Sequence, residues 1–370
     1  MQATLARGLR ALGHDVVHAL PHGVTSQQRR ADVLLGVEGS GVSTAVHRML
    51  ASPWRLRRLG RFDVVHHVLG VTALVSRAQR HSDLPRFRRQ RAVVSYTGLG
   101  CDEIALLRVR PGSPSRSPCA SCEANDAIGR ICRAQILTQR PATAAVADFV
   151  DVCVTPMPDY EHAGAFFPSA THVRIPLPVA VPAFKPLRQA GPLRLVHAPS
   201  RRGFKGTTIV LAAMQRLRER GITADFTILE NLPHAEFLAR LADADILIDQ
   251  VHSFGAGMAA LEALASGKIV ISGNAPEMRT YFPWGDENPI LDASRDPDVL
   301  ADCIESLLQL TPAEVESPYI IRVAIALLML SCSIPGRSVI RNATPVRRAH
   351  PHFAENIRAM GAQIEWVEGD

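Results

Sequence analysis

The sequence predicts an α/β protein built from two doubly wound, Rossmann-like domains, on three observations. Apolar runs of strand length alternate with amphipathic helical segments, which is typical of a parallel sheet covered on both faces. The alternation forms two series, separated by a proline-rich stretch at 175–192. The 370 residues, with 47% hydrophobic and 21% charged residues, are enough for two or three globular domains.

The first series opens on a helix rather than on a strand. Residues 3–13 have helical spacing, with Leu5, Leu9 and Leu12 on one face and Gly13 placed as a terminator. The strand-like runs DVVHAL, ADVLLGV, FDVVHHVLG, RAVVSYTG and DVCVTP follow. The first strand of this domain is therefore missing, and because that strand is central in a doubly wound sheet, its loss leaves two unpaired edges. We interpret the start as truncated, by gene decay or by a misassigned start codon.

The second series alternates the strands LRLVHAP, ADFTILE, DILIDQV and KIVISG with helices, the last of which is PDVLADCIESLLQL. The predicted domains are 1–176 and 193–316, joined by a linker at 177–192 and followed by an appended α/β segment at 317–370. Two such domains place their ligand in the cleft between them, at the carboxyl ends of the strands.

Charge and composition limit the class of partner. The net charge is 41 minus 35, or +6, which favours anionic ligands mildly, but the chain lacks the dense basic block of a nucleic-acid-binding arm. We therefore expect no nucleic-acid partner, and a peripheral contact with a membrane surface stays open. No signal peptide is expected, and the apolar run at 319–332 contains Arg322 and is too short to span a bilayer. These features predict a cytoplasmic protein.

Residues 197–207, HAPSRRGFKGT, place three basic side chains in a turn between a strand and a helix. Helix N-termini carry free N–H groups and a partial positive charge, so they bind phosphate. Arg201, Arg202 and Lys205 would add charge there, and the two glycines of the turn would let the backbone approach. A solvated basic loop is the alternative.

Residues 254–273, FGAGMAALEALASGKIVISG, form a second glycine-rich helix start. Glu262 lies about 7–8 Å inside that helix at ~1.5 Å per residue, a depth that suits the hydroxyls of a ribose beside a phosphate. The alternative is an exposed helical glutamate.

Together with DADILIDQ, these two motifs resemble the donor domain of the retaining GT-B glycosyltransferases of group 1 (GT4-like). The resemblance implies glycosyl transfer from a nucleotide-diphosphate sugar to an unknown acceptor, which is a glycan, a lipid or a small molecule, with no cofactor and no metal. It also implies donor-binding roles. Arg202 and Lys205, with Arg201 as a substitute, would hold the diphosphate, Gly257 and Met258 would give the backbone approach, and Glu262 would hold the ribose.

The chain departs from that family at two points. The family often has two glutamates separated by seven residues, and the earlier position is Phe254, so the carboxylate on the sugar side is missing. A histidine that often follows the strand ending near 97 is replaced here by SYTGLGCDE. Tyr96 and Asp102 are then the catalytic candidates, with Thr97 beside them, and ordinary turn chemistry is the alternative. A catalytically impaired protein that only binds a nucleotide sugar is therefore the competing function, and an epimerase of the same shape is a third.

Two further features carry hypotheses of their own. Cys119, Cys122 and Cys132 suggest a zinc site, whose fourth ligand could be Cys101, Cys153 or His162, and free thiols are the alternative. The tail at 317–370 resembles one repeat unit of the enolpyruvyl transferases, with a helix, a PGRSVIRNA strand, a second helix and an MGAQIEW strand. We treat it as a fused remnant without an activity.

Overall fold

A computed structural model describes most of the two predicted domains. The described residues are 2–20, 31–35, 42–68, 82–98, 146–180, 187, 192–281, 289–309, 352–359 and 363–365. Every strand pairing among them is parallel. This arrangement confirms the predicted α/β class, with parallel sheets in both halves of the chain.

The N-terminal half begins with a helix that ends where the sequence predicts, because Gly13 takes a positive φ of 88° just beyond it. Its elements are α1 (Gln2–Ala11), β1 (Ala19–Leu20), β2 (Val33–Leu34), α2 (Val42–Arg58), β3 (Val64–Val68), α3 (Leu84–Gln90), β4 (Val93–Thr97), a 3-10 helix (Ala147–Phe149), β5 (Val152–Thr155), a second 3-10 helix (Pro158–Phe166) and β6 (Thr171–Arg174).

The strands of this half form two separate sheets. β1 pairs with β2, while β3, β4, β5 and β6 form a four-stranded sheet in that order. Within the described residues no backbone pairing joins β1 to β3.

The C-terminal half is a five-stranded parallel sheet in the order β11-β10-β9-β7-β8. Its elements are β7 (Arg194–His197), α4 (Arg202–Lys205), α5 (Thr207–Glu219), β8 (Asp225–Ile228), α6 (His234–Ala242), β9 (Ile246–Ile248), α7 (Met258–Ala265), β10 (Ile269–Ser272), a 3-10 helix (Pro276–Thr280), β11 (Ile290–Asp292) and α8 (Pro297–Leu308).

The central strands of this sheet explain its stability. All residues of β9 and β10 are buried, as expected for strands covered by helices on both faces. α5 packs its buried side chains Val210, Met214 and Leu217 beside those of α8. α8 begins with an Asp296 carboxylate that accepts a hydrogen bond from the Asp298 N–H at 2.9 Å, which caps the helix.

The segment after β5 packs against the C-terminal sheet. Met157, Tyr160 and Leu177 belong to the same buried hydrophobic cluster as Leu247 of β9 and Leu261 of α7. Met157 and Tyr160, from the predicted first domain, and Leu177, from the predicted linker, thus complete the core of the C-terminal half. The domain boundaries at 176, 192 and 316 remain predictions.

The tail is described only in part. A helix, α9 (Phe353–Ala359), forms where the second helix of 317–370 is expected. Residues 363–365, from the predicted MGAQIEW strand, form no strand, and the PGRSVIRNA segment lies outside the described residues. In the part of the chain that the structure describes, no helix has the length and apolar character needed to cross a bilayer.

Candidate donor-binding site

The candidate donor-binding residues lie at the carboxyl edge of the C-terminal sheet. Lys205 follows β7 by eight residues, Glu230 follows β8 by two, and Asp249 directly follows β9. α7 starts near the same edge. Ligands of open α/β sheets bind at this edge, so the folding of the chain gathers the predicted residues where a ligand is expected.

Lys205 is buried, with 7% of its surface exposed. Its Nζ donates to the Asp249 carboxylate at 2.5 Å and to the Gln250 side-chain oxygen at 3.2 Å. Asp249 is fully buried. The solvated basic loop is therefore the wrong description of Lys205, since its charge is held inside the protein by an ion pair.

The same network reaches the glycine-rich loop that precedes α7. The second oxygen of Asp249 accepts a hydrogen bond from the Gly257 N–H at 3.2 Å, and the Gln250 amide donates to the Gly255 carbonyl at 2.5 Å. A Cβ on Gly257 would lie 3.1 Å from Asp249 Oδ2 and 3.3 Å from Lys205 Nζ. Glycine at 257 thus permits the close approach of the two motifs, which the structure brings together.

Arg202 lies on the exposed side of the same loop, with 58% of its side chain exposed. Its Nε and Nη2 donate to the two oxygens of Glu230 at 2.9 and 2.6 Å. This hydrogen bonding lowers the pKa of Glu230 below its ordinary value. Arg201 places its guanidinium 4.6 Å from the centre of the Phe204 ring. Of the two arginines, Arg202 is therefore the more accessible. Its guanidinium can form two parallel hydrogen bonds to a phosphate as well as to a carboxylate.

Glu262 is buried within α7 and is only 7% exposed. The alternative of an exposed helical glutamate is therefore wrong. Its Oε1 lies 2.9 Å from Nε2 of His234, the first residue of α6, and half of that imidazole is exposed. Met258, the first residue of α7, is partly buried against the hydrophobic cluster that contains Leu261. The carboxylate is thus positioned by a histidine from the neighbouring helix.

His197 joins the strands beneath the site. Its ring is fully buried, and burial lowers its pKa below the ordinary value. In the neutral ring, Nδ1 donates to the Ile248 carbonyl at 2.8 Å, and Nε2 accepts from the Thr207 hydroxyl at 2.9 Å. His197 therefore links β7, β9 and the start of α5.

Two of the catalytic candidates of the N-terminal half, Tyr96 and Thr97, lie within the described residues. Tyr96 is fully buried and packs on Phe167 at 5.1 Å between ring centres. Thr97 is buried, and its hydroxyl lies 3.2 Å from Nε2 of His66. Asp102 lies outside the described residues. The position of Tyr96 fits packing and gives its side chain no contact with solvent.

The zinc hypothesis rests mainly on residues that the structure does not describe. Cys119, Cys122, Cys132 and Cys101 all lie within 99–145, outside the described residues. Cys153 is a buried residue of β5. Among the residues described, no group of three or more His, Cys, Asp or Glu side chains is placed to hold a metal ion.

Four polar residues of the site were not singled out from the sequence. They are Glu230, His234, Asp249 and Gln250. Asp249 and Gln250 directly follow the apolar strand ILI, and Glu230 comes two residues after β8. Polar residues just beyond predicted parallel strands were the available signal. Their pairing partners were not visible, because the contacts form only in the folded chain.

These pairings change the electrostatics of the site. Lys205 faces Asp249 and Arg202 faces Glu230, so each predicted phosphate ligand already has a carboxylate partner. The Arg202 pair is exposed, whereas the Lys205 pair is buried and fixes the geometry of the loop.

Sequence comparison supports the resemblance over part of the chain. Residues 211–317 match the family model described as glycosyl transferases group 1. This segment contains Gly257, Met258 and Glu262, but it begins after Arg202 and Lys205. No curated protein matches the chain.

Several solved structures are similar in fold. Sucrose-phosphate synthase from Thermosynechococcus elongatus is 16% identical, with 78% of this chain and 77% of that chain covered and a TM-score of 0.49. A glycosyltransferase from Rickettsia africae ESF-5 is 12% identical, with coverage of 96% and 94% and a TM-score of 0.48. MurG from Acinetobacter baumannii is 13% identical, with coverage of 87% and 89% and a TM-score of 0.42.

Proposed function

We propose that this chain, a group 1 glycosyltransferase by the match over residues 211–317, transfers a sugar from a nucleoside-diphosphate sugar to an acceptor. The observation that carries the proposal is the buried network of Lys205, Asp249 and Gly257, which joins the basic loop to the start of α7. Glu262 lies five residues into that helix, so one edge of the sheet offers sites for a diphosphate and a ribose.

In the proposed mechanism the diphosphate lies over α4 and the start of α7. Arg202 exchanges Glu230 for phosphate oxygens, and the N-terminal backbone of α7 adds positive potential there. The buried pair of Lys205 and Asp249 holds the loop in position. Arg202 and the α7 backbone stabilise the negative charge that develops on the leaving diphosphate, without a metal. Glu262, oriented by His234, accepts hydrogen bonds from the ribose hydroxyls. Retention of configuration is a further part of the proposal, by family resemblance.

The competing function is a protein that binds a nucleotide sugar without transferring the sugar. Phe254, at the position where the family often has a glutamate, is buried, so it offers no polar group to a sugar. A turnover assay separates the two functions. We expect the full chain, given a panel of UDP-, GDP-, ADP- and dTDP-sugars, to release nucleoside diphosphate from one of them as the sugar passes to water or to an added glycan, lipid or small-molecule acceptor. Binding without release, with water and with all added acceptors, would instead support the non-catalytic function.

The acceptor side of the proposal includes a peripheral contact with an anionic membrane, through α2. Val46, Leu50 and Trp54 recur every four residues along this helix and are all exposed. Arg58 lies 4.1 Å from the centre of the Trp54 ring, and Arg57 is exposed beside it. The apolar side chains of this stripe could enter the outer part of an anionic bilayer, and the arginines at its end could bind the anionic headgroups.

Vesicle sedimentation tests the membrane contact. We expect the protein to bind vesicles of phosphatidylglycerol more than vesicles of phosphatidylcholine, and Leu50→Ser to weaken that binding. Leu211→Ser removes an exposed leucine from α5 and serves as the matched control. Equal binding of vesicles by both variants would show that α2 does not form the membrane contact. The proposed cytoplasmic location suits Cys153 and Cys303, which are not joined in disulfides.

A further inference from the structure

The N-terminal half contributes a carboxylate to the edge of the donor-binding site. Asp159 lies in the 3-10 helix Pro158–Phe166, four residues after the end of β5. One of its oxygens accepts a hydrogen bond from the Ser253 hydroxyl at 2.9 Å, and the other lies 3.4 Å from the Phe254 backbone nitrogen. Two segments more than ninety residues apart in sequence therefore meet at this carboxylate.

The meeting point lies at the carboxyl edges of both sheets. β5 ends at Thr155 and β9 ends at Ile248, and the contact joins the loops that follow these two strands. Ligands of doubly wound domains bind beyond this edge. Asp159 is held there by its neighbours, because Met157 and Tyr160 are both buried in the hydrophobic cluster of the C-terminal half.

The loop 253–257 connects Asp159 to the proposed diphosphate site. Its first two residues contact Asp159, while the carbonyl of Gly255 and the N–H of Gly257 are bound by Gln250 and Asp249. Lys205 donates to those same two side chains. Glu262 lies five residues after Gly257 in the sequence. In the proposed orientation the ribose lies at Glu262, the diphosphate at Gly257 and the sugar at the contact of Ser253 with Asp159, on the same loop.

We propose that Asp159 accepts hydrogen bonds from the hydroxyls of the donor sugar, and that it thereby selects a sugar nucleotide over the bare nucleoside diphosphate. The inference rests on the proposed function. A carboxylate has about four acceptor sites, so Asp159 can bind sugar hydroxyls while it keeps Ser253. Asp159 thereby provides an acidic group beside Phe254, at the position where the group 1 family often has a glutamate.

The test compares two ligands on one variant. Calorimetry first identifies which of UDP, GDP, ADP and dTDP binds the unmodified protein. It then measures the Kd of that nucleoside diphosphate and of its glucose conjugate. We expect Asp159→Asn to weaken binding of the conjugate about tenfold or more, as loss of a charge-assisted hydrogen bond does, and to leave the Kd of the diphosphate unchanged. Glu161→Gln is the matched control, because Glu161 lies on the same 3-10 helix and pairs with Arg174 at 2.9 Å.

Ser253→Ala separates sugar binding from a purely structural role, since it removes the hydroxyl that contacts Asp159 but keeps the carboxylate. We expect this variant to retain the preference for the conjugate. An equal loss of affinity for both ligands in Asp159→Asn, or no loss for either, would overturn the inference while leaving the proposed function intact. Failure of the unmodified protein to bind any of the four diphosphates would instead overturn the proposed function, and the inference with it.

Discussion

Lys205 and Asp249 depend on each other, because each charge is buried against the other. We expect Lys205→Met to lower the free energy of unfolding by about 3–5 kcal/mol, since it leaves a buried carboxylate without its cation. The double variant Lys205→Met with Asp249→Leu should recover much of that loss. Urea denaturation provides the measurement.

Arg194→Gln is the control for that pair. Arg194 lies 3.3 Å from Asp225, and both side chains are about half exposed. Removal of an exposed ion pair should change the free energy of unfolding by no more than about 1 kcal/mol. If Lys205→Met and Arg194→Gln lowered stability equally, the Lys205 pair would not hold the site together.

His197 gives the stability of the protein a dependence on pH. Burial lowers its pKa in the folded state, so the unfolded chain binds a proton more readily. The contribution of the neutral ring is therefore complete above about pH 6.5, the ordinary pKa, and falls as the pH drops toward the folded-state pKa. We expect the free energy of unfolding, measured between pH 7.5 and 5, to decrease less steeply in His197→Gln than in the unmodified protein.

His14→Gln is the control for this pH dependence, because the side chain of His14 is exposed. Its unfolding profile should follow that of the unmodified protein across the same pH range. Identical profiles for His197→Gln and His14→Gln would show that the buried ring does not titrate on unfolding.

The site residues differ in how far the sequence could predict them. Lys205 was predicted from the basic turn at 197–207. Gly257 and Glu262 were predicted from the second motif, in which a glycine before the helix and an acid inside it have a fixed spacing. Asp249 and Glu230 were not predicted, because their roles depend on contacts across 44 and 28 residues of sequence. The sequence therefore predicted the cations of the candidate site but not the carboxylates that neutralise them.

At the level of elements, the approach of the 255–257 loop to α4 depends on glycine. A Cβ at 257 would press on the buried groups of Asp249, Lys205 and Gln250. We expect Gly257→Ala to cost about 1–3 kcal/mol of stability and to weaken binding of nucleoside diphosphates. Thermal unfolding with and without ligand measures both effects.

Gly8→Ala is the contrasting substitution, because nothing lies within 4 Å of the added Cβ in α1. Alanine in a helix interior should stabilise the protein by about 0.5–1 kcal/mol relative to glycine. A destabilisation as large as that expected for Gly257→Ala would show that the cost at 257 is not specific to the site.

Three of the strands that the sequence predicted consist mainly of buried residues. They are β7, β9 and β10, and the structure confirms each of them. β6 was not predicted, because three of its four residues, THVR, are exposed and lack an apolar pattern. β11 has only three residues. Short or exposed edge strands form through pairing with a neighbour, which a sequence pattern does not reveal.

At the level of the whole molecule, the two series of strands and helices could be predicted, but their meeting could not. The contact depends on Met157, Tyr160 and Asp159, which lie in a 3-10 segment without helical or strand periodicity. The same segment closes the hydrophobic cluster of the C-terminal half. In the proposed function, sugar binding depends on the assembly of both halves, because the proposed sugar contact and the proposed diphosphate site come from different parts of the chain.

The proposed function requires that the carboxyl edge of the C-terminal sheet binds a nucleoside diphosphate through Arg202. Calorimetry with UDP, GDP, ADP and dTDP tests it on the unmodified protein, on Arg202→Gln and on Arg216→Gln. Arg216 is a matched control, because it is also exposed and is paired with Glu219 and Asp298 at 3.1 Å. We predict that at least one diphosphate binds, that Arg202→Gln weakens it about tenfold or more, and that Arg216→Gln does not. Absence of binding by all four, or equal weakening by both variants, would contradict the claim.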